Sequence, residues 1–177
     1  MSNNFCVWLT GLPSSGKTTI AKFLKEKLKE FSIKSYILDS DELRKILTPN
    51  PKYTEEERDW FYDVLVYFAH VLVENGVNVI IAATGNKRRF RKKCREMIKN
   101  FIEVYIKCSL EECMRRDSKG LYKMALEGKI KNFPGIQDPY EEPENPELVI
   151  DSGKLKPWEC AELIIEKIKE FKLLSSN

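Results

Sequence analysis

The sequence has little of what would make it a disulfide scaffold, a metal-cluster protein or a membrane protein. Among 177 residues there is one histidine, His70, and five cysteines, Cys6, Cys94, Cys108, Cys113 and Cys160, with no C-x-x-C pair. That spacing offers neither a zinc site nor a disulfide framework. The longest mostly apolar stretches, such as 77–83, fall far short of the ~20 residues that cross a bilayer, so no membrane partner is expected. The opening residues lack a secretory apolar segment and the cysteine count is odd, so the expectation is a reduced, cytoplasmic protein. Excess charge is small too: a formal +3 does not by itself require a nucleic-acid partner. There is no internal repeat and no domain-sized linker, and the length fits one α/β domain over 1–177.

What is present is the pattern of a parallel sheet covered by helices. Short apolar runs at 5–9, 35–38, 77–83, 101–106 and 148–150 read as strands. Between them, Ile20, Ala21, Leu24, Leu28 and Phe31 recur at helical spacing, and 55–74 forms a long helix with Phe61, Leu65, Phe68 and Leu72 on its apolar face. Asn75-Gly76 ends that helix, and a closing helix spans 157–171 with Pro157 in its first turn. Strands alternating with helices imply a mainly parallel sheet buried on both faces, a three-layer sandwich. The strand at 77–83 is the most β-biased and is expected at the sheet's centre, with the first two strands as neighbours. From 118 to 145 glycines, prolines and charges replace periodicity, which marks a lid beside a site. Trp8, Trp60 and Trp158 read as packing residues, and His70, amid apolar neighbours, as having no direct role.

Gly11-Leu12-Pro13-Ser14-Ser15-Gly16-Lys17-Thr18 matches G-x-x-x-x-G-K-[ST], with a strand before it and an amphipathic helix after it. Gly11 and Gly16 allow the backbone to turn its N–H groups inward around phosphate oxygens. The helix starting near Lys17 adds its positive end. In this motif Lys17 reaches the β- and γ-phosphates of ATP, and the Thr18 hydroxyl ligates Mg²⁺. Ser14, Ser15 and Thr19 complete the nucleotide-binding set. The chemistry implied is phosphoryl transfer from ATP with Mg²⁺ as cofactor and a small anionic acceptor.

Asp39-Ser40-Asp41 follows the second strand, at the edge where ligands of open α/β sheets bind. Two readings stand. One carboxylate orients an acceptor hydroxyl while the other, Asp39, holds the metal through water; or both are first-turn acids of a helix. Arg44, three residues on, can bind an anionic acceptor group. Lys87, Arg88, Arg89, Arg91, Lys92, Lys93 and Arg95 place seven cations in nine residues. This is either a polyanion-binding stripe or a solvated helix face with one or two members reaching an acceptor phosphate. The second reading is preferred because charge runs are usually surface, so a nucleic-acid partner is not expected.

Nearly the whole chain, from Phe5 to Phe171, resembles the adenylylsulfate kinase family. The resemblance rests on Cys108 to Arg116-Asp117, Lys119-Gly120-Leu121-Tyr122-Lys123, and Gly128 to Phe133. It continues through Gly135-Ile136, Asp138-Pro139-Tyr140-Glu141 and Pro143-Glu144-Asn145-Pro146. It implies a P-loop kinase that phosphorylates the 3′-hydroxyl of a small nucleotide acceptor. Asp41 would act on that hydroxyl, Arg44 and Arg58 would bind the acceptor's 5′ anionic groups, and Phe133 and Tyr53 would flank its base. Lys119 or Lys123 would support the transferring phosphate from the lid, with Arg116 on the nucleotide. A homodimer is a further expectation.

Departures gather on the acceptor side. Where the family carries Phe-Ile-Ser-Pro-Tyr-Arg, this chain reads Ala82-Ala83-Thr84-Gly85-Asn86-Lys87. Trp60-Phe61-Tyr62-Asp63 replaces the usual Asn-Ile-Arg-Arg region, Ser40 stands in Asp-Gly-Asp, and Tyr53 replaces a phenylalanine. A retargeted acceptor such as cytidine diphosphoramidate fits that pattern. A polynucleotide or nucleoside kinase, and a non-catalytic nucleotide-binding module or half of a sulfurylase–kinase assembly, stand as alternatives.

Overall fold

In the computed structural model, which describes residues 4–174, the phosphate loop leaves the middle strand of a five-stranded sheet. The elements run β1 (Cys6–Thr10), α1 (Lys17–Glu30), β2 (Ser35–Asp39), α2 (Ser40–Leu47), α3 (Glu55–Glu74) and β3 (Asn78–Ala82). They continue α4 (Arg88–Met97), β4 (Phe101–Lys107), α5 (Leu110–Arg115), α6 (Leu121–Leu126), β5 (Leu148–Asp151) and α7 (Pro157–Glu170). The strand order is β2-β3-β1-β4-β5, all parallel.

That order corrects two expectations. The strand at the centre is β1, with β3 beside it, and β1 and β2 are not neighbours because β3 lies between them. Burial explains the arrangement. All five residues of β1 and of β3 are buried, so both need a strand on each side, whereas β2 exposes Tyr36 and suits an edge. Asp39 nevertheless arrives beside the loop, since parallel register sets Asp39 level with Ala82, and Ala82 level with Leu9.

One core, Leu24, Leu28, Ile80, Val104 and Ile164 among its members, packs α1 and α7 on one face. The other packs α3 and α4 through Trp8, Phe61, Leu65, Phe90 and Cys94. A third, smaller cluster of Cys108, Cys113, Tyr122, Ala125 and Phe133 anchors the segment expected to be irregular. That lid contains α6 and packs its Tyr122, Ala125 and Phe133 against Cys108, Cys113 and Leu12 of the main domain.

The long helix α3 begins where Thr54 accepts the Glu57 N–H at 3.2 Å, with three glutamates in its first turn favouring the positive end. Its buried face is rotated from the one the periodicity suggested. Tyr62, Val66, Ala69 and Val73 join Phe61 and Leu65, Leu72 is half-buried, and Phe68 is 42% exposed. The helix turns towards α4, to which Arg89–Asp59 and Lys93–Asp63 ion pairs tie it. Trp8 is fully buried as expected, but Trp60 and Trp158 are 48% and 42% exposed and are not core residues. All five cysteines are free and buried, and no helix among the described residues is long and apolar enough to cross a membrane.

The core makes a direct prediction. Leu24 is fully buried between α1 and the sheet, so Leu24→Ala should lower the unfolding free energy by about 2–5 kcal/mol. Urea denaturation should show this as a lower midpoint at unchanged slope.

Candidate active site

The carboxyl edge of the sheet opens into a cleft of about 620 Å³ lined by the phosphate loop, the start of α2, α3 and the lid. The loop is held close to the sheet. A Cβ on Gly11 would lie 2.4 Å from the Ile106 carbonyl oxygen, so no other residue fits there. Lys17 is only 8% exposed, and its ammonium donates to the Gly11 and Leu12 carbonyls at 2.9 and 2.7 Å. Burial lowers its pKa to about 8, against the raising pull of Asp41, Cys113 and Asp39.

Behind the loop, the Ser152 hydroxyl donates to the Ser15 carbonyl at 2.8 Å, and Arg116 donates to the Ser152 carbonyl at 2.8 Å. From the lid, the Tyr122 hydroxyl donates to the Pro13 carbonyl at 2.8 Å. Gly16, Thr18, Thr19, Ser14 and Arg116 line the cleft, while Ser15 is buried beneath it.

The acidic station meets the loop directly. The Thr18 hydroxyl donates to Asp39 Oδ2 at 2.6 Å, and Asp39 Oδ1 accepts the N–H groups of Asp41 and Glu42. Asp39 is therefore the N-cap of α2 and a partner of the loop threonine at once; the two sequence readings of this acid are compatible. Asp41 projects from the first turn, where Lys119 of the lid reaches its Oδ2 at 2.5 Å. Lys123 is exposed on α6 and does not line the cleft. Of the two lid lysines proposed, the structure brings only Lys119 to the acids.

Arg44 and Arg58 stand on the far side. The Arg44 guanidinium lies 3.8 Å from the Phe61 ring centroid and 5.3 Å from that of Tyr53, and burial lowers its pKa. Arg58 is buried, donating to Asp138 and, at 2.7 Å, to the Asn132 carbonyl. Tyr53 has a left-handed backbone, φ 54°, stabilised by Asn132, whose amide donates to the Tyr53 carbonyl at 3.0 Å. Phe133 lines the cleft and meets Tyr122 edge-on at 4.9 Å.

Sequence reasoning missed the hub of this side. Asp138 accepts from Arg58 and from the Asn86 amide at 2.7 Å, and pairs with Lys87 at 3.2 Å. It lies in the Asp138-Pro139-Tyr140-Glu141 motif, where its partners, 51 to 80 residues away, leave no local signal. The basic run is not a free stripe either. Each of its seven cations pairs with a carboxylate of the chain: Asp138, Glu144, Glu55, Glu103, Glu96, Asp63 and Glu147 in turn. Arg91 departs furthest from a solvated face. At 1% exposed, it donates to Glu103, to the Gly85 carbonyl and to the Glu141 carbonyl.

The lowered Lys17 pKa sets an expected linkage. Between about pH 8 and the ordinary lysine range, free protein binds less than a full proton at Lys17. Phosphate oxygens favour the charged form, so nucleotide binding at pH 8.5 should take up protons, and affinity should fall as pH rises further. Calorimetry of a non-hydrolysable ATP analogue in two buffers of different ionisation enthalpy reads the uptake. It should vanish in Lys17→Met, and absence of uptake in the wild type would refute the assignment.

The family profile described as adenylylsulphate kinase matches residues 3–151. A Pyrococcus abyssi chain named "Probable adenylyl-sulfate kinase" is 43% identical over 166 residues, covering 94% of this chain and 95% of its own. The adenylyl-sulfate kinase of Picosynechococcus is 42% identical over 164 residues, covering 93% of each. Among solved structures, the Mycobacterium tuberculosis APS kinase CysC in complex with AMPPNP and APS superposes with a TM-score of 0.89 at 33% identity, over 96% of this chain and 99% of that one. With the phosphate loop, the acidic station and the lid assembled around one cleft, the chain belongs to the adenylylsulphate kinase family.

Proposed function

We propose that this chain transfers the γ-phosphate of ATP to the 3′-hydroxyl of adenylylsulfate. The observation that carries the reading is the junction of the phosphate loop with the acidic station: Thr18 on Asp39 at 2.6 Å, with Asp41 in the first turn of α2 lining the same cleft. The loop N–H groups and Lys17 hold the triphosphate, with Arg116 beside it. Asp41 orients the acceptor hydroxyl and takes its proton as the new bond to the γ-phosphorus forms. The bond to the β-phosphate oxygen breaks, and ADP leaves. Lys119, already on Asp41, is the lid cation that neutralises charge on the transferring group. Arg44 and Arg58 take the acceptor's 5′ anionic end, and Phe133 and Tyr53 flank its base.

Mg²⁺ fits the Thr18–Asp39 pair, because both offer hard oxygen donors and this ion commonly takes one or two carboxylates plus substrate phosphates. When bound, the ion neutralises charge on the β- and γ-oxygens.

The test is ADP release from Mg-ATP with adenylylsulfate, beside a no-acceptor control and cytidine diphosphoramidate. Release that depends on adenylylsulfate is expected; release with cytidine diphosphoramidate alone would overturn the acceptor. Asp41→Asn should lower turnover by about 10²-fold or more while sparing nucleotide affinity. Near-normal turnover would remove Asp41 from the mechanism.

A further inference from the structure

Tyr62 presents the cleft with a hydrogen-bond donor that its described surroundings leave unused. It sits on α3, 4% exposed, and lines the cleft wall with Arg44 and Arg58. Its hydroxyl accepts the Gly85 N–H at 2.8 Å. A phenol has one O–H to give as well as lone pairs to receive, and among the described residues no acceptor takes that hydrogen.

The surroundings fix where the hydroxyl sits. The ring stacks on Phe90 at 4.3 Å and lies 6.1 Å from Trp8. Gly85 is fixed in turn: its φ is +53°, a Cβ there would come within 2.9 Å of the Trp8 ring, and Arg91 holds its carbonyl. Burial raises the phenol's pKa, opposed by Arg44, the Gly85 N–H, Arg58 and Arg91, so the group remains a protonated donor at neutral pH. A rigid O–H donor beside guanidinium groups suits an anionic oxygen.

We propose that Tyr62 is a further acceptor-binding residue, its hydroxyl oriented by the Gly85 N–H and donating to an oxygen of the acceptor's 5′ phosphosulfate in company with Arg44 and Arg58. This rests on the adenylylsulfate reading above. Losing a hydrogen bond to a charged group from the bound complex corresponds to roughly a tenfold or greater loss of affinity.

Tyr62→Phe keeps the stacked ring and removes the hydroxyl. With adenylylsulfate, its acceptor KM should rise about tenfold or more, while kcat and the KM for ATP stay within about twofold. Because this variant also strips a partner from the Gly85 N–H, a second variant separates the roles. Site-specific 3-fluorotyrosine at position 62, assayed below the pH at which it ionises, is a stronger donor and a weaker acceptor. Its adenylylsulfate KM should stay equal to or fall below that of the wild type. An unchanged KM in Tyr62→Phe overturns the proposal. So does a raised KM in both variants, which would leave the hydroxyl only its bond from Gly85. Wild-type protein that releases no ADP with adenylylsulfate would sink the acceptor reading itself, and the phosphosulfate as ligand of Tyr62 with it.

Discussion

Burying the Lys17 ammonium is the constraint around which the rest of the site is arranged. A charged amine withdrawn from water loses hydration that two carbonyls, from Gly11 and Leu12, replace only in part, and the lowered pKa records the shortfall. A loop that holds such a group has to be rigid, or it would relax and return the amine to solvent. The rigidity comes from β1, buried between two strands, from the contact of Gly11 with Ile106, and from Ser152 and Tyr122 gripping the loop carbonyls. Triphosphate oxygens would supply the missing solvation, so burial of the ammonium favours nucleotide binding.

The acceptor side uses a different device. Here cations outnumber the space available, and Asp138 prevents them from repelling one another by accepting from Arg58 and Asn86 and pairing with Lys87. Arg91 then ties Asp138's segment to the loop after β3, through the Glu141 and Gly85 carbonyls, with Glu103 neutralising it below. Deleting either partner of such a buried set would leave an uncompensated charge. The lid is held by these contacts and by three more: Asn132 on Tyr53, Lys119 on Asp41 and Tyr122 on the phosphate loop.

Much of this was legible in the residues, unevenly so. The phosphate loop was readable because glycine, lysine and threonine at fixed spacing have one physical use there, and the strand–loop–helix context agreed. The parallel sheet followed from alternating apolar periods, but strand order did not: periodicity says that a strand is buried, not which neighbours bury it, and β3 was inserted between β1 and β2. The buried arc of α3 shifted towards α4 for the same reason, leaving Phe68 outside. In the basic run the surface reading holds for Arg88, Arg89, Lys92, Lys93 and Arg95, but Arg91 is buried, and carboxylate partners such as Glu55 and Glu147 lie 34 and 52 residues away. Long-range pairing of that sort has no local signal.

Two departures from the family pattern, distant in sequence, become one feature in space. Tyr62 lies in the stretch that replaces the family's Asn-Ile-Arg-Arg region, and Gly85 stands where the resemblance places a proline. A proline there has no N–H to give, so a tyrosine hydroxyl at position 62 would have lost its orienting donor; conversely, an aliphatic side chain at 62 would leave the Gly85 N–H buried without a partner. Each change is costly alone and consistent with the other. The Trp8 ring closes the unit, since it fills the space that a Cβ on residue 85 would occupy and donates its own indole N–H to the Ala83 carbonyl at 3.0 Å. The altered loop is thus fixed by its own contacts, which is what a surface that held an acceptor in line with the γ-phosphate would require.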